Sequence, residues 1–168
     1  MGADEILNPS IDDDISRIKL LTNSYGVDGV IITASSSSDE VISSAFNMSR
    51  KKAKVILVGD VGLNLKREEF YAKELDFLIS SSYGPGRYDS KYEEEGIDYP
   101  LPYVRWTEKR NFEAVLNAIS KKMLNVNSLI TDRVPINDYR KIYGDISNSK
   151  SIASILEYSS SQEQTSTI

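Results

Sequence analysis

Two short apolar runs separated by a helix-length segment constrain this chain more than any other feature. Residues 27–33 and 54–58 are rich in β-branched side chains. Continuous apolar strands joined by a helical connection are typical of parallel sheets, because a parallel pair needs a long crossover. The sequence therefore predicts an α/β fold with a mostly parallel sheet and right-handed crossovers. The connecting segment has an apolar face at helical spacing: Val41, Ile42, Ala45, Phe46 and Met48.

Further elements follow the same pattern along the chain. A short helix is expected over 68–72, a strand within 75–82, and the most regular helix after Thr107. Strands are expected over 128–134 and 153–158, with a short helix between them. The spacing of apolar residues in the long helix gives it one apolar face. That face consists of Phe112, Val115, Leu116, Ile119 and Met123.

Two helix starts carry signals in their side chains. Asp12, Asp13 and Asp14 directly precede an isoleucine-rich helical pattern. Negative charge there favours the positive end of the helix dipole, so a cap is the simpler interpretation, with a metal site as the alternative. Ser37 and Glu40 have the spacing of a capping box, which predicts that Ser37 begins the helix between the first two strands.

The chain contains neither cysteine nor histidine, which excludes several kinds of site. It can form no disulfide, no Ser-His triad and no metal site with His or Cys ligands. Its 20 basic and 25 acidic residues disfavour nucleic acid or an anionic membrane as partner. No run approaches the roughly 18 apolar residues of a membrane span, and no signal-peptide pattern opens the chain. We therefore expect a cytoplasmic protein.

The carboxyl ends of three predicted strands supply the candidate binding site. Ligands of open parallel sheets lie outside those ends. Small or polar residues follow each strand, so a ligand could approach the backbone closely. The same residues would equally suit plain strand-to-helix turns, and the sequence leaves both interpretations open. They are Thr33, Ala34 and Ser35, then Val58, Gly59 and Asp60, then Ser81, Ser82 and Tyr83.

A long aromatic loop is expected between Tyr83 and Trp106. Five of the ten tyrosines lie between Tyr83 and Tyr103, and the glycines and prolines of this segment interrupt regular structure. Such a loop could cover a cofactor or stack on a sugar ring. Alternatively, it packs over the sheet or against a second domain. The acidic run 93–95 is interpreted as a solvated face, because consecutive carboxylates do not converge on one point.

Residues 81–111, with the motifs YGPGRY and YVRWTEKRN, closely resemble a segment of bi-domain oxidoreductases. In that family, a medium-chain half similar to zinc-type alcohol dehydrogenases precedes a second dehydrogenase half of the Gfo/Idh/MocA type. The resemblance to the medium-chain half extends from residue 2 to Tyr158. It implies that residues 1–158 are the C-terminal part of a Rossmann coenzyme domain. Residues 159–168 have the composition of a disordered tail.

The resemblance also implies an activity and a cofactor. The complete enzyme would carry out an NAD- or NADP-dependent reaction on a sugar or polyol derivative. The segments 33–35, 58–60 and 81–83 would follow the fourth, fifth and sixth strands of the coenzyme sheet. In the wider dehydrogenase family, these strand ends lie along the nicotinamide riboside, and backbone groups make most of the contacts.

Several family features are missing from this chain. No G-x-G-x-x-G turn is present, and Gly84, Gly86 and Gly96 lack the strand–turn–helix context of that motif. Asp132 stands where the family usually has histidine. We therefore expect an incomplete, doubly wound Rossmann-like domain with no catalytic residues and no zinc site. Its own affinity for NAD or NADP should be low, because a pyrophosphate needs backbone donors at a helix N-terminus.

Two kinds of partner follow from this interpretation. The first is the missing N-terminal catalytic and first βαβ portions of the dehydrogenase. The alternative is a non-catalytic binding or assembly module that forms a homodimer. An open sheet edge exposes unpaired backbone groups, and a second copy of the chain could pair with them.

Overall fold

A computed structural model describes residues 2–143 and 151–159. By its internal contacts, the chain divides into two compact units, one formed by Gly2–Asn111 and the other beginning at Phe112. The sequence predicts a tail over 159–168, and residues 160–168 of it lie outside the described residues. The predicted extent of the coenzyme domain, 1–158, stays a prediction.

The first unit alternates helices and strands, as the sequence pattern predicts. Among the described residues, no helix is both long enough and apolar enough to cross a membrane. The elements in chain order are α1 (Asp14–Leu21), β1 (Val27–Ile32), β2 (Ser35–Ser36), α2 (Glu40–Met48), β3 (Ser49–Leu57), β4 (Asp60–Val61), α3 (Arg67–Phe70), β5 (Asp76–Ile79) and α4 (Ser90–Glu93).

The main sheet of this unit is parallel and has the order β1-β3-β5. A second, two-stranded parallel sheet pairs β2 with β4 directly beyond the carboxyl ends of β1 and β3. The predicted α/β class with parallel strands is thereby confirmed. Because all three strands of the main sheet run the same way, their carboxyl ends lie at one edge.

The hydrophobic core lies between α2 and one face of the main sheet. Phe46 is buried at its centre, and its ring lies 5.5 Å from that of Phe70 and 5.6 Å from that of Phe77. Contacts of this kind stabilise beyond area burial alone. The predicted apolar face of α2 is confirmed. The buried cluster comprises Ile32, Ile42, Ala45, Phe46, Val55, Leu57 and Val61.

The opposite face of the sheet is much more open. Ile31, Ile56 and Leu78 stand in register across the three strands. Ile31 is 66% exposed and Leu78 is 47% exposed. The apolar run 27–33 predicts a buried strand. That prediction is wrong for one face of β1, because helix α2 packs only on the other face.

The two predicted helix starts have different outcomes. Asp13 caps α1, since its carboxylate accepts the N–H of Ser16 at 3.1 Å, and the cap interpretation is confirmed. The predicted start at Ser37 is wrong by two residues, because Asp39 occupies the cap position of α2. Its neighbour Ser38 accepts the N–H of Glu40 at 3.1 Å and so satisfies one of the free donors of the first turn.

The second unit contains the remaining predicted strands. They pair in parallel and form a separate two-stranded sheet. Hydrogen bonds from Ser151 and Thr131 lower the pKa of Asp132, so this carboxylate stays ionised. The apolar face of the long helix is exposed within its unit, with Leu116 at 65%. These elements are α5 (Glu108–Ser120), which begins in the first unit, β6 (Ile130–Pro135), α6 (Arg140–Tyr143) and β7 (Ala153–Glu157).

Candidate functional site

The structure brings the first two strand-end segments into direct contact. The backbone N–H groups of Val58 and Gly59 both donate to the carbonyl of Ile32 at 2.9 Å. One step further, the N–H of Asp60 donates to the carbonyl of Ala34 at 3.1 Å. The predicted segments 33–35 and 58–60 therefore lie side by side at the carboxyl edge of the main sheet.

Gly59 makes this close approach of the two segments feasible. A Cβ atom at this position would overlap the carbonyl oxygen of Ala34 and would lie 2.9 Å from the carbonyl carbon of Thr33. Both contacts involve backbone atoms, which cannot rotate out of the way. A glycine is therefore required here for packing, whatever ligand the edge binds.

The side chains of these two segments face solvent. Thr33, Ala34, Ser35 and Asp60 are exposed, and Val58 is 50% exposed. The edge thus offers backbone groups, two hydroxyls and one carboxylate to a ligand. This set can hydrogen-bond an amide or a ribose, but it contains no cation that would bind a phosphate.

The third segment begins beside the second and then turns away. Ser80 donates its N–H to the carbonyl of Leu57 at 2.8 Å, which extends the pairing of β5 by one residue. A tight turn follows, in which the carbonyl of Ser81 accepts the N–H of Gly84 at 2.9 Å, and Ser82 has φ 45°. Tyr83 is 53% exposed at the start of the aromatic loop.

The aromatic loop holds itself together through its own side chains. Tyr92 and Tyr99 stack with their ring centroids 5.6 Å apart. The hydroxyl of Tyr92 accepts the N–H of Lys109 at 3.0 Å, and Arg110 donates to the carbonyl of Tyr99 at 3.0 Å. These bonds join the loop to the start of α5. The aromatic residues at the loop surface are Tyr83, Tyr88, Tyr103 and Trp106.

Titratable groups in the loop are arranged as fixed pairs. Tyr99 donates its hydroxyl hydrogen bond to Asp89, which lowers the pKa of Asp89 and raises that of Tyr99. The hydrogen bond that Arg87 donates to the carboxylate of Glu93 likewise raises the pKa of Arg87. Each group is thus held in its ordinary charge state. Such pairs stabilise the loop but do not supply a proton donor or acceptor poised near neutral pH.

A groove of about 670 Å³ lies beside β1 and reaches the first strand-end segment. Val30, Ile31 and Ile32 line its floor, and Thr33 lies at its end. The charged residues that line it are Asp14 and Glu40, both acidic. The groove is therefore suited to an apolar or a cationic occupant and disfavours a phosphate.

The described residues do not fit the pyrophosphate of a dinucleotide. That group needs free N–H donors at a helix N-terminus, usually after a glycine-rich turn. Here the helix that follows β1 starts with Asp39 and Glu40, whose charges oppose an anion. The backbone groups and hydroxyls of this edge can hydrogen-bond uncharged amide and hydroxyl groups. Within residues 2–143 and 151–159, no cluster of three or more acidic residues could hold a metal ion.

Sequence reasoning missed the β2–β4 pairing. Its strands, Ser35–Ser36 and Asp60–Val61, are too short and polar for a periodicity to reveal. In the sequence, the pairing could have been inferred only from Gly59 and Gly62 on either side of β4, because glycines allow two backbones to approach closely. A Cβ at Gly62 would lie 2.8 Å from the carbonyl oxygen of Ser37, so it too marks a close approach of backbones.

Comparison with known proteins shows a shared fold. No family model matches the sequence, and no curated protein matches it. An oxidoreductase/dehydrogenase of unknown specificity from Escherichia coli, described as involved in membrane biogenesis, superposes with TM-score 0.67 at 18% identity over 94% of this chain and 39% of its own. An alcohol dehydrogenase from Thermotoga maritima gives 0.68 at 15% identity over 94% and 38%.

A third similar structure is galactitol-1-phosphate dehydrogenase from Escherichia coli, with TM-score 0.58 and 16% identity over 84% of this chain and 36% of its own. At this level of identity, the likeness shows the fold alone. The chain spans about two fifths of the length of the similar structures. The activities and substrates of those complete proteins therefore serve here only as support for a proposal.

Proposed function

We propose that this chain forms the later part of the coenzyme-binding sheet of an NAD(P)-dependent, alcohol-dehydrogenase-like oxidoreductase. The observation that carries the proposal is the parallel order β1-β3-β5, which sets the carboxyl ends of three strands along one edge. That edge is where parallel α/β sheets bind their ligands. The fold shared with an alcohol dehydrogenase and with a dehydrogenase of unknown specificity, each over 94% of the chain, supports it.

The proposed role of the edge is to bind the nicotinamide half of the coenzyme. Backbone groups of 33–35, 58–60 and 81–83 would contact the amide and the ribose. The redox chemistry would come from the bound nicotinamide, and the family resemblance places the catalytic residues in other portions of the enzyme. The substrate class is a sugar or polyol derivative; one protein of similar fold is a galactitol-1-phosphate dehydrogenase.

On this proposal the chain works only together with further dehydrogenase portions. They would supply the first βαβ unit, the pyrophosphate cradle and the catalytic domain. The chain alone would then bind the coenzyme weakly and turn over no substrate. Losing several charge-assisted hydrogen bonds, each about 1.5–3 kcal/mol, lowers affinity by several powers of ten. A cytoplasmic location, predicted from the sequence, is part of the same proposal.

The experiment is co-expression of the chain with the N-terminal dehydrogenase portions that the proposal requires. Isothermal titration calorimetry with NAD and NADP then compares the reconstituted protein with the chain alone. We expect binding by the reconstituted protein and little or none by the chain. If a folded, reconstituted protein binds neither nucleotide, the proposal is wrong.

A non-catalytic assembly module is the second candidate. The observation in its favour is that β1 pairs on only one side among the described residues, so it presents a sheet edge to a second copy. Sedimentation velocity at micromolar concentration distinguishes this role. A stable homodimer would support an assembly function, and a strictly monomeric species would count against it.

A further inference from the structure

A second cavity, of about 290 Å³, lies at the amino edge of the main sheet, opposite the candidate coenzyme edge. It opens where α1 ends and where β1 and β3 begin. Its charged lining residues are all basic: Lys19, Arg50, Lys51 and Lys73. The chain as a whole has a formal net charge of −5, so this lining runs against the overall charge and attracts anions locally.

Gly26 allows the loop before β1 to form one wall of this cavity. It has φ 95°, and a Cβ atom there would lie 2.6 Å from the carbonyl oxygen of Met48 and 2.8 Å from the amide nitrogen of Arg50. The loop therefore lies directly against the junction of α2 and β3. Close backbone contact thus holds this wall of the cavity in place.

The carbonyls at the two helix ends beside the cavity have donors of their own. The ammonium of Lys73 donates to three carbonyls at the end of α2, at 2.7, 2.9 and 2.9 Å. At the end of α1, the N–H of Ser24 donates to the carbonyl of Lys19 at 2.6 Å. These bonds reduce the repulsion that free carbonyls would exert on an anion. An ammonium has three donors, so Lys73 contributes charge to the cavity but no further bond.

Arg50 and Lys51 keep donors for a ligand. A guanidinium has five N–H groups, and Arg50 uses one on the carboxylate of Asp28 at 2.5 Å and one on the carbonyl of Lys51 at 2.6 Å. That leaves three within the part of the chain that the structure describes. The side chain of Asp28 is 90% exposed, so solvent screens its charge. Glu74 is shared between Lys51 at 3.8 Å and Lys52 at 3.2 Å.

The two lysines on the helix side of the cavity repel each other. Burial lowers the pKa of Lys73, and the charge of Lys19 lowers it further, against the opposite effect of Glu69. Two ammonium groups thus stand close enough to interact without full compensation by acidic residues. An anion in the cavity would relieve this repulsion.

We propose that this cavity binds the phosphate group of a small, soluble phosphomonoester, with Lys19, Arg50 and Lys51 as its direct partners. A phosphate dianion matches both the excess of positive charge and the fork of the guanidinium. The cavity has the size of a small-molecule site. Tyr25 also lines it and is 79% exposed, so its ring is available to the organic part of the ligand.

The test is an amide NMR titration of the full, isotope-labelled chain with phenyl phosphate at constant ionic strength. Benzyl alcohol, which has the ring but no phosphate, is the control. We expect saturable shift changes that cluster in 24–26 and 49–51, and binding of benzyl alcohol at least about tenfold weaker. Shifts that do not saturate, that fall elsewhere, or that benzyl alcohol reproduces would overturn the proposal. No coenzyme is present, so the result is independent of the test of the proposed function.

Two substitutions in one strand separate a built site from general attraction. Arg50→Gln removes the guanidinium, and Lys54→Gln removes an equal charge at an exposed position of β3 outside the cavity. We expect Arg50→Gln to weaken binding of phenyl phosphate at least about tenfold and Lys54→Gln to weaken it no more than about twofold. Equal losses would overturn the proposal. The titration of the unmodified chain does not depend on how either variant folds.

Vesicle sedimentation distinguishes a soluble phosphate from one carried by a lipid. Vesicles of phosphatidylcholine with phosphatidic acid present the same group at a membrane surface. We expect them to sediment no more of the chain than vesicles of phosphatidylcholine alone. Sedimentation with the acidic vesicles that Arg50→Gln abolishes would overturn the assignment to a soluble ligand.

Discussion

Gly59 lies where two backbone segments approach too closely for any side chain. A Cβ there would overlap the carbonyl oxygen of Ala34. We expect Gly59→Ala to lower the free energy of unfolding by about 1–3 kcal/mol or more, because neither backbone can move without breaking the β2–β4 pairing. Urea denaturation followed by circular dichroism measures the change.

The matched control for this substitution is Gly29→Ala, in the neighbouring strand. A Cβ at Gly29 would lie 3.6 Å from the carbonyl oxygen of Lys54, an ordinary contact. We expect this variant to stay within about 0.5 kcal/mol of the unmodified protein. If both substitutions lower the free energy of unfolding equally, the close backbone approach at Gly59 is not the cause of the loss.

The bond between Tyr99 and Asp89 makes the aromatic loop sensitive to pH. It lowers the pKa of Asp89 in the folded protein. The stabilisation is therefore present above the unfolded-state pKa of the carboxyl and is lost as the pH falls through its folded-state pKa. In Tyr99→Phe, the stacked ring remains but the bond does not, so NMR titration should show the pKa of Asp89 rising toward its ordinary value.

The control for the hydroxyl is Tyr103→Phe, because Tyr103 is 87% exposed. Its substitution should leave the Asp89 titration unchanged. If Tyr99→Phe also leaves that titration unchanged, the hydrogen bond does not hold the carboxylate in its ionised state.

At the scale of elements, Lys73 secures the C-terminal end of α2. Its ammonium donates to the carbonyls of Phe46 at 2.7 Å, Asn47 at 2.9 Å and Ser49 at 2.9 Å. Burial lowers the pKa of Lys73, and the positive charge of Lys19 lowers it further. A cation at this end of a helix satisfies carbonyls that have no partner in the helix and opposes the negative end of its dipole.

We expect Lys73→Met to lower the free energy of unfolding by about 1–3 kcal/mol. Methionine keeps most of the packing of the aliphatic stem but leaves the carbonyls without their donor. Urea denaturation measures the loss, and Lys121→Met, at an exposed position, is the control. A loss no larger than that of the control would mean that the ammonium contributes little to holding α2 in place.

The elements that the sequence reveals are those with a clear period. The apolar face of α2 was predictable, because its packing on the sheet reinforces the local pattern. Helix α5 and strand β1 were predictable as elements from their spacing and their apolar run, although Leu116 and Ile31 are exposed. The first half of β3 was not predictable as a strand, because Arg50, Lys51 and Lys52 are all charged and show no apolar pattern. There Lys52 has φ 62° and donates its N–H to the carbonyl of Lys73 at 2.8 Å. A long-range bond of this kind leaves no mark in a local pattern.

At the scale of the whole molecule, topology was more predictable than burial. Alternating strands and helices indicate a parallel sheet, and the carboxyl edge then follows from geometry. Whether both faces of that sheet are covered depends on elements that a strand's own sequence does not reveal. Ile31 looks like a core residue in its apolar run, yet it is 66% exposed on the open face.

The candidate site was likewise predictable in its position but not in its detailed contacts. The sequence places the three strand-end segments at one edge, but not the way in which 33–35 and 58–60 bond to each other. Nor does it reveal that Tyr83 turns into a loop tied to α5, since the amide of Asn111 donates to its carbonyl at 2.8 Å. These bonds join residues far apart in the chain, so they follow from the fold and not from any local motif.

The central claim is that the carboxyl edge of this sheet contacts a nicotinamide. The most direct measurement is an amide NMR spectrum of the isotope-labelled chain in the reconstituted protein, with and without saturating NADH. The account predicts that shift changes cluster in 33–35, 58–60 and 81–83. Binding of NADH that leaves these segments unchanged and shifts other parts of the chain would contradict it.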